Sequence, residues 1–449
     1  MKLTREVNSA RLLIIGYLGI ITIGALLLCL PFATNSRTSF IDALFTSSSA
    51  VCVTGLIVKD TALDFTIWGK LIILILIQIG GLGYMTLSTT FFYFLGKKIS
   101  LRDRIMFKAS ASLFTYENLM RFSWRIFRIT IIVELAGAII LYTSFSRHFA
   151  PLPALGHSIF HAVSAFCNAG FSTFSNNLSN YSTSYIVPLT CIFLIITGGI
   201  GFIAISDIYY VLVKKAKKEL TLHTKIVLKT TAILIILGTA IIFLLEGKNS
   251  LGHFPLIHKF ITAFFHAITP RTAGFNMVNI SLFSYLSIIV IMIFMFIGAS
   301  PGGTGGGIKT TSFALILVWV KELLFGRYGN DITLMKKRVP VEQALRAFLL
   351  IFSSIFLIFA SFFIIILIDQ PAPFKLLFEV FSAFGTVGLS FGSNIKSSCS
   401  FSFDLSGIGK LIIIFMMLSG RVGTLTVSHA LFKSHSREFT YPEESIVIG

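Results

Sequence analysis

Four times along this chain an apolar stretch gives way to a loop of small residues ending in Gly followed by Phe or Leu. The loops are Cys52-Val53-Thr54-Gly55-Leu56, Cys167-Asn168-Ala169-Gly170-Phe171, Arg271-Thr272-Ala273-Gly274-Phe275 and Gly385-Thr386-Val387-Gly388-Leu389. Their glycines lie 115, 104 and 114 residues apart. So regular a recurrence marks internal duplication, with one supersecondary unit used four times. Each unit reads as an apolar helix, a short descending helix, the loop and a second apolar helix. Four such loops around one axis would form a ring of backbone carbonyls, the device that replaces the water shell of a potassium ion.

The solvent for which such a unit is built follows from composition. Hydrophobic residues make up 55% of the chain and charged residues 12%, and the mean hydropathy is +0.87. Soluble domains carry about a quarter charged residues. Several apolar segments approach or exceed the roughly 20 residues that cross a bilayer core as helix. Backbone polar groups in lipid must be satisfied internally, and the alternation of a barrel is missing, so the spans are helices. The expected fold is an all-α polytopic membrane protein of four parallel helix–pore-loop–helix repeats around one pseudo-fourfold pore.

The net charge of +18 is placed between the repeats. Lys97, Lys98, Arg102, Arg104, Lys108, Arg121, Arg125 and Arg128 fill the first connection, Lys214, Lys215, Lys217, Lys218 and Lys225 the second, and Lys321, Arg327, Lys336, Lys337, Arg338 and Arg346 the third. The loop sides carry scattered charges: Arg37, Lys59, Asp60, Arg147, Lys248 and Lys396. Lys/Arg excess in short loops marks the cytoplasmic side. Lys2, Arg5, Arg11, Lys433 and Arg437 add both termini to it, so crossings are even in number and the loops open from outside a cell membrane. That topology accounts for the basic clusters without nucleic acid. The apolar run Leu12–Leu30 exceeds a signal-peptide h-region of 7–15 residues and is expected to be retained. Five cysteines give no disulfide framework.

Residues 1–10 then form a cytosolic N-terminus, 11–95 repeat one, 96–123 a basic cytosolic connection, 124–213 repeat two and 214–223 a second connection. Residues 224–325 form repeat three with a broken inner helix, 326–341 a third connection, 342–433 repeat four and 434–449 a cytosolic tail. Outer helices are expected over Arg11–Pro31, Trp124–Phe145, Thr224–Glu246 and Glu342–Asp369, and descending helices over Phe40–Ala50, Pro153–Ala165, Ile257–Thr269 and Phe374–Ala383. Inner helices are expected over Thr66–Leu95, Thr183–Val213, Ser281–Phe325 and Ser406–Lys433. The descending segments are too short to span and suit re-entrant helices, whose loops must line a cavity or be buried in protein.

The inner helices carry a second recurrence: Gly80-Gly81-Leu82-Gly83, Gly198-Gly199-Ile200-Gly201, Gly302-Gly303-Thr304-Gly305 and Gly420-Arg421-Val422-Gly423. Alone, such clusters mean close helix packing; their co-recurrence with the loops points also to a structured pore lining. Repeat three extends its cluster through Gly298-Ala299-Ser300-Pro301 to Gly306-Gly307-Ile308-Lys309-Thr310, which cannot remain a regular helix. This run nearly spells a phosphate-binding loop, but Ile308 separates the last Gly from Lys309 and a membrane helix precedes it, so no nucleotide site is expected. No catalytic constellation stands out elsewhere.

These loops, with Ser-Ala-Phe-Cys-Asn-Ala-Gly-Phe in loop two, Pro-Arg-Thr-Ala-Gly-Phe-Asn in loop three and the run Gly298–Thr310, resemble the Trk/Ktr/HKT superfamily of potassium transporters, most closely the membrane subunit of bacterial Ktr systems. The resemblance covers about Arg11–Lys433. It implies a homodimer with one pore per chain, a separately encoded cytosolic ring of RCK-type nucleotide-binding subunits, stimulation by Na+, and Gly298–Thr310 as an intramembrane gating loop. Plant relatives that move sodium have Ser at the first-loop Gly, so Gly55 favours potassium.

The expected K+ selectivity filter is Val53, Thr54 and Gly55, then Asn168, Ala169 and Gly170, then Thr272, Ala273 and Gly274, then Thr386, Val387 and Gly388, with K+ held by their carbonyls. The expected gate is Gly302, Gly303, Thr304, Gly305, Gly306 and Gly307 together with Arg421. An Arg inside an apolar helix costs about 2.5–3.5 kcal/mol on insertion scales and so needs a partner in the bundle. It could latch the gate, act as an electrostatic barrier or form a structural ion pair. Lys309 is expected to snorkel to the cytoplasmic surface. His161, His266 and Glu379 are read as packing or polar anchors behind the filter, since no metal-type spacing links them. No bound cofactor is expected beyond transported K+ and activating Na+. Alternatives are a Na+-coupled K+ secondary carrier or a Na+ transporter of the same superfamily; an ATP-driven pump lacks its nucleotide domain.

Overall fold

The computed structural model of the chain describes residues 9–83, 119–212, 219–326 and 331–431. The basic residues Lys97, Lys98, Arg102, Arg104, Lys108, Lys214, Lys215, Lys217, Lys218 and Arg327, and those at either chain end (Lys2, Arg5, Lys433, Arg437), lie outside the described residues.

The four outer helices are Ser9–Leu28, Leu119–Phe145, Leu222–Glu246 and Val341–Asp369, with 20, 27, 25 and 29 residues. At 1.5 Å per residue each reaches about 30 Å or more, enough to cross a hydrocarbon core. At most a third of each span is buried. The remainder presents side chains such as Ile23, Ile139, Ile236, Phe356 and Leu367 outward. The chain is a multi-pass membrane protein.

Against each outer helix packs its descending helix: Phe40–Val51, Pro151–Phe166, Leu256–Ile268 and Pro373–Gly385. Ser39 caps the first by accepting from the Asp42 N–H, and Pro151 and Pro373 open two others at the position where a missing N–H costs nothing. The C-terminal halves of all four are buried, so their ends meet inside the protein.

The inner helices depart from expectation. They begin as Ile67–Leu82, Ile186–Ile200, Tyr285–Phe296 and Gly407–Val422, three of them capped by Thr66, Ser284 and Ser406. Each ends well short of the expected bounds, and the part of the first expected beyond residue 83 lies outside the described residues. Gly83, Gly201 and Gly423, the fourth positions of their clusters, adopt φ of 76°, 96° and 95° and terminate the helix. After Gly201 and Gly423 the chain restarts as Phe202–Leu212 and Thr424–Leu431, bent by 96° and 106°. The third is interrupted over Ile297–Lys309 and resumes as Thr310–Leu324. The first cluster glycine has a different duty. A Cβ on Gly80, Gly198 or Gly420 would collide with the carbonyl oxygen of Val51, Phe166 or Phe384, at the buried end of the same repeat's descending helix. Close packing explains those positions.

Ties across the ring join the first repeat to the last. Lys410 pairs with Asp42 at 2.8 Å and Lys396 with Asp64 at 2.7 Å. Ile57 and Ser400 exchange two 2.8 Å hydrogen bonds, and Arg11 Nε donates to the Ala430 carbonyl. In the third connection, strands Asp331–Leu334 and Lys337–Pro340 form an antiparallel hairpin. Its Ile332, Leu334 and Val339 pack on Leu222, Val318 and Trp319.

Glu246, fully buried at the end of the third outer helix, was missed in the sequence. Oε1 accepts from the Ser284 N–H and from the hydroxyls of Ser284 and Ser287, while Oε2 accepts from Asn249 Nδ2 and Ser250 Oγ. One carboxylate thus locks the outer helix to the start of the inner one. Glu246→Ala orphans these donors and is expected to cost about 3 kcal/mol, read as a lower melting temperature of the solubilised protein; unchanged melting would refute the lock.

Candidate functional site

The four descending helices deliver their loops to one closed ring. A Cβ built on Gly55 would meet the Ala169 carbonyl oxygen at 2.5 Å, and one on Gly170 would meet the Ala273 oxygen at 2.9 Å. Gly274 stands in the same relation to the Val387 oxygen, and Gly388 to the Thr54 oxygen. Each glycine therefore abuts the carbonyl that precedes the next repeat's glycine, and the series closes in chain order from the fourth loop to the first. No side chain fits at these four places. Their φ values of 93°, 68°, 74° and 89° lie where L side chains rarely go.

Two residues before each glycine stands a second left-handed residue: Val53 at φ 57°, Asn168 at 60°, Thr272 at 75° and Thr386 at 50°. Three of these are β-branched, for which positive φ is a genuine outlier costing of order 1–3 kcal/mol. Left-handed residues at alternate positions turn successive carbonyls toward one side of an extended strand.

Each loop is pinned by a Ser or Thr on its descending helix. Ser49 Oγ accepts from the Gly55 N–H at 3.0 Å, and Ser382 Oγ from the Gly388 N–H at 3.1 Å. Ser164 and Thr269 instead donate to the carbonyls of Phe171 and Phe275, at 2.7 and 2.6 Å. The spacing to the glycine is six residues in three repeats and five in the third. The recurrence is legible in the sequence as a Ser or Thr five or six residues before each glycine.

One helical turn earlier come Thr46, His161, His266 and Glu379, all fully buried. His161 Nε2 lies 2.9 Å from Ser172 Oγ, and Glu379 Oε1 accepts from the Ser402 N–H and hydroxyl at 2.9 and 2.6 Å. His266 takes the packing role of the two expected: among the described residues neither ring nitrogen has a hydrogen-bond partner, and the ring lies against those of Phe265 and Phe283. Among the described residues no group of His, Cys, Asp and Glu has a metal-binding arrangement. Arg271, 6% exposed, donates from Nη2 to Thr231 Oγ1 at 3.2 Å beside the third loop.

On one side of the ring lies a vestibule of about 280 Å³, lined by all four glycines and by polar residues such as Asp60, Ser172, Asn276 and Ser390. On the other side sits the segment Ile297–Lys309. Ser300 and Thr304 donate backbone N–H groups to the carbonyls of Gly199 and Gly198, and Gly307 donates to that of Gly420. The Gly306 N–H donates to Thr386 Oγ1 at 2.9 Å, so the segment is bonded directly to the ring. Space at Gly305 is closed by the Thr272 side chain. Arg421 Nη1 donates to the Thr304 carbonyl and Nη2 to the Gly80 carbonyl, bridging repeats one, three and four. Lys309 does not reach for the surface: its Nζ donates to the Gly305 carbonyl at 2.8 Å. The segment's own carbonyls offer a nearer partner than water.

Residues 14–440 match the family described as cation transport protein, TrkH. The chain is 37% identical to the Ktr system potassium uptake protein B of Bacillus subtilis, over 98% of this chain and 96% of that protein. It is 36% identical to the potassium/sodium uptake protein NtpJ of Enterococcus hirae, over 100% and 99%. Among solved structures, the potassium transporter TrkH from Vibrio parahaemolyticus superposes with a TM-score of 0.74 at 19% identity, covering 96% of this chain and 87% of that one.

Proposed function

The chain belongs to the TrkH family of cation transport proteins, and from that premise we propose that it is the pore-forming membrane subunit of a potassium uptake system. K+ passes in single file through the ring of Thr54, Ala169, Ala273 and Val387 carbonyls and those flanking them, moving down its electrochemical gradient. The observation that carries this reading is the closure of the ring, with four glycines each against the next loop's carbonyl and a polar-lined vestibule beside them. The names of the relatives agree: one is a potassium uptake protein of a Ktr system and one a potassium/sodium uptake protein.

Beneath the ring, Gly302–Gly307 with Arg421 acts as the gate: a loop of peptide dipoles held across the path by one guanidinium. Both termini face the cytoplasm, the chain pairs with a second copy, Na+ stimulates uptake, and a cytosolic RCK-type ring controls the gate from the basic side. The docking surface includes the basic connection 96–123, most of which lies outside the described residues. Charge reversal at Arg102 and Arg104 is expected to reduce co-purification of the regulatory ring about tenfold with insertion intact. Undiminished co-purification would remove this surface.

The deciding experiment is rubidium flux into liposomes holding the purified chain alone. Saturable flux without ATP, driven by the rubidium gradient, supports the pore. Strict one-for-one coupling to sodium would instead establish a carrier.

A further inference from the structure

The vestibule poses an electrostatic problem. The chain carries a net charge of +18, which by itself disfavours the approach of a cation. The surface that lines the cavity answers it with one group. Among the described residues that line it, Asp60 is the sole acidic side chain, and no Lys, Arg or His joins it.

The carboxylate of Asp60 is only half satisfied. It is 1% exposed; Oδ1 accepts from the Ala62 N–H at 2.8 Å, an Asx-type turn, and among the described residues Oδ2 has no hydrogen-bond partner. Two cations, Lys70 and Lys396, lie close enough to act on Asp60 through space, but neither hydrogen-bonds it. Lys396 Nζ is bonded to Asp64 Oδ2 at 2.7 Å, and Lys70 Nζ to the Ala62 carbonyl at 2.8 Å. Asp64 is further occupied by the Asp60 N–H, also at 2.7 Å. Lys70 and Lys396 offset part of the cost of burying this carboxylate, but its Oδ2 is left without a bonded partner among the described residues, so a further cation nearby is favourable. The adjacent space is the polar-lined cavity floored by the four ring glycines. Low-dielectric walls around such a cavity focus the field of a single charge.

We propose that Asp60 makes the vestibule a monovalent-cation recruitment site, which gathers hydrated K+ or Rb+ above the ring and so sets the external concentration at which uptake half-saturates. This rests on the pore reading above, and it assigns to Asp60 the affinity for external ions rather than the choice among them. Asn keeps the acceptor for the Ala62 N–H and removes the charge, so Asp60→Asn separates the field from the turn.

The test is rubidium uptake into liposomes against external rubidium concentration, at low ionic strength and with added N-methylglucamine chloride. Asp60→Asn is expected to raise the half-saturating concentration roughly fivefold at low ionic strength, with a smaller change in maximal rate. Added salt should narrow the gap, because screening weakens the wild type more than the variant. Asp60→Glu, which keeps the charge, is expected to fall between. Asp404→Asn, at the end of the short 3-10 helix Phe401–Asp404 and absent from the vestibule lining, is the control for loss of a half-buried carboxylate elsewhere. A second readout needs no flux: K+ should raise the melting temperature of the solubilised wild type at lower concentration than that of Asp60→Asn. Equal half-saturation for wild type and Asp60→Asn, equal shifts in Asp60→Asn and Asp404→Asn, or a gap indifferent to salt would each overturn the assignment. Wild type that carries no rubidium would overturn the pore reading instead, and the melting titration would still decide Asp60.

Discussion

Arg421→Ala raises rubidium uptake by the reconstituted chain, in the absence of any cytosolic partner, by at least about tenfold. The guanidinium donates to the Thr304 carbonyl in the broken third helix and to the Gly80 carbonyl in the first inner helix. Hydrogen bonds from a charged donor contribute roughly 1.5–3 kcal/mol each, so the pair biases the segment by ~3 kcal/mol or more toward the blocking arrangement. Half of that bias is already about a factor of ten in the closed-to-open ratio. What remains are neutral bonds, each weaker: backbone bonds with Gly198, Gly199, Phe202 and Gly420, the Thr304 hydroxyl on the Phe166 carbonyl, and the Gly306 N–H on Thr386. Arg421→Lys places one compact donor where two carbonyls wait, and is expected to give an intermediate rate. Deleting part of Gly303–Gly307 acts in the same direction by removing the obstruction. A fall in flux for both the Ala variant and the deletion, with normal size-exclusion elution, would make the segment structural and place the gate elsewhere.

Gly55→Ser lowers the preference for potassium over sodium by roughly an order of magnitude. The new Cβ would stand 2.5 Å from the Ala169 carbonyl oxygen and 3.0 Å from the Gly170 Cα, both backbone atoms that cannot swing aside. The backbone at φ 93° is also one that L side chains rarely adopt. The first loop must therefore shift, and with it the Thr54 carbonyl that abuts Gly388. Discrimination depends on the number and spacing of coordinating carbonyls, so a displaced quadrant loosens it. Sodium competition against rubidium uptake reads the change. Gly392→Ser is the control: φ is 81°, yet the nearest atoms to its Cβ are 3.6 Å away and outside the ring. Equal selectivity in Gly55→Ser and wild type would count against the ring as the filter.

Much of this architecture could be read from the residues because it follows from backbone demands that only Gly meets. The four loop glycines are visible for that reason, and so is the broken third helix, where Gly and Pro are too dense for any helix to persist. The breaks at Gly83, Gly201 and Gly423 were not legible. A single Gly costs a helix only about 1 kcal/mol, and tertiary contacts decide the outcome. Nor could the left-handed backbone of Val53, Thr272 and Thr386 be anticipated, since local preference in β-branched residues points the other way and the ring overrules it. The pairing of Asp42 with Lys410 joins residues 368 apart and leaves no local trace. Asp60 was visible only as a scattered charge; the vestibule gives it a context.

All four quadrants of the ring belong to one polypeptide. In a channel assembled from four identical subunits, one codon change alters the ring four times over, and few such changes leave a working pore. Here a codon change alters a quarter of it. The ring shows what that freedom has produced: four glycines held in common, and three residue types, at Val53, Asn168, Thr272 and Thr386, two positions before them. Ion preference in such a chain can drift by quarter-steps, each tolerated by the three loops left untouched. Four tandem copies thus convert an all-or-none trait into one that selection can grade.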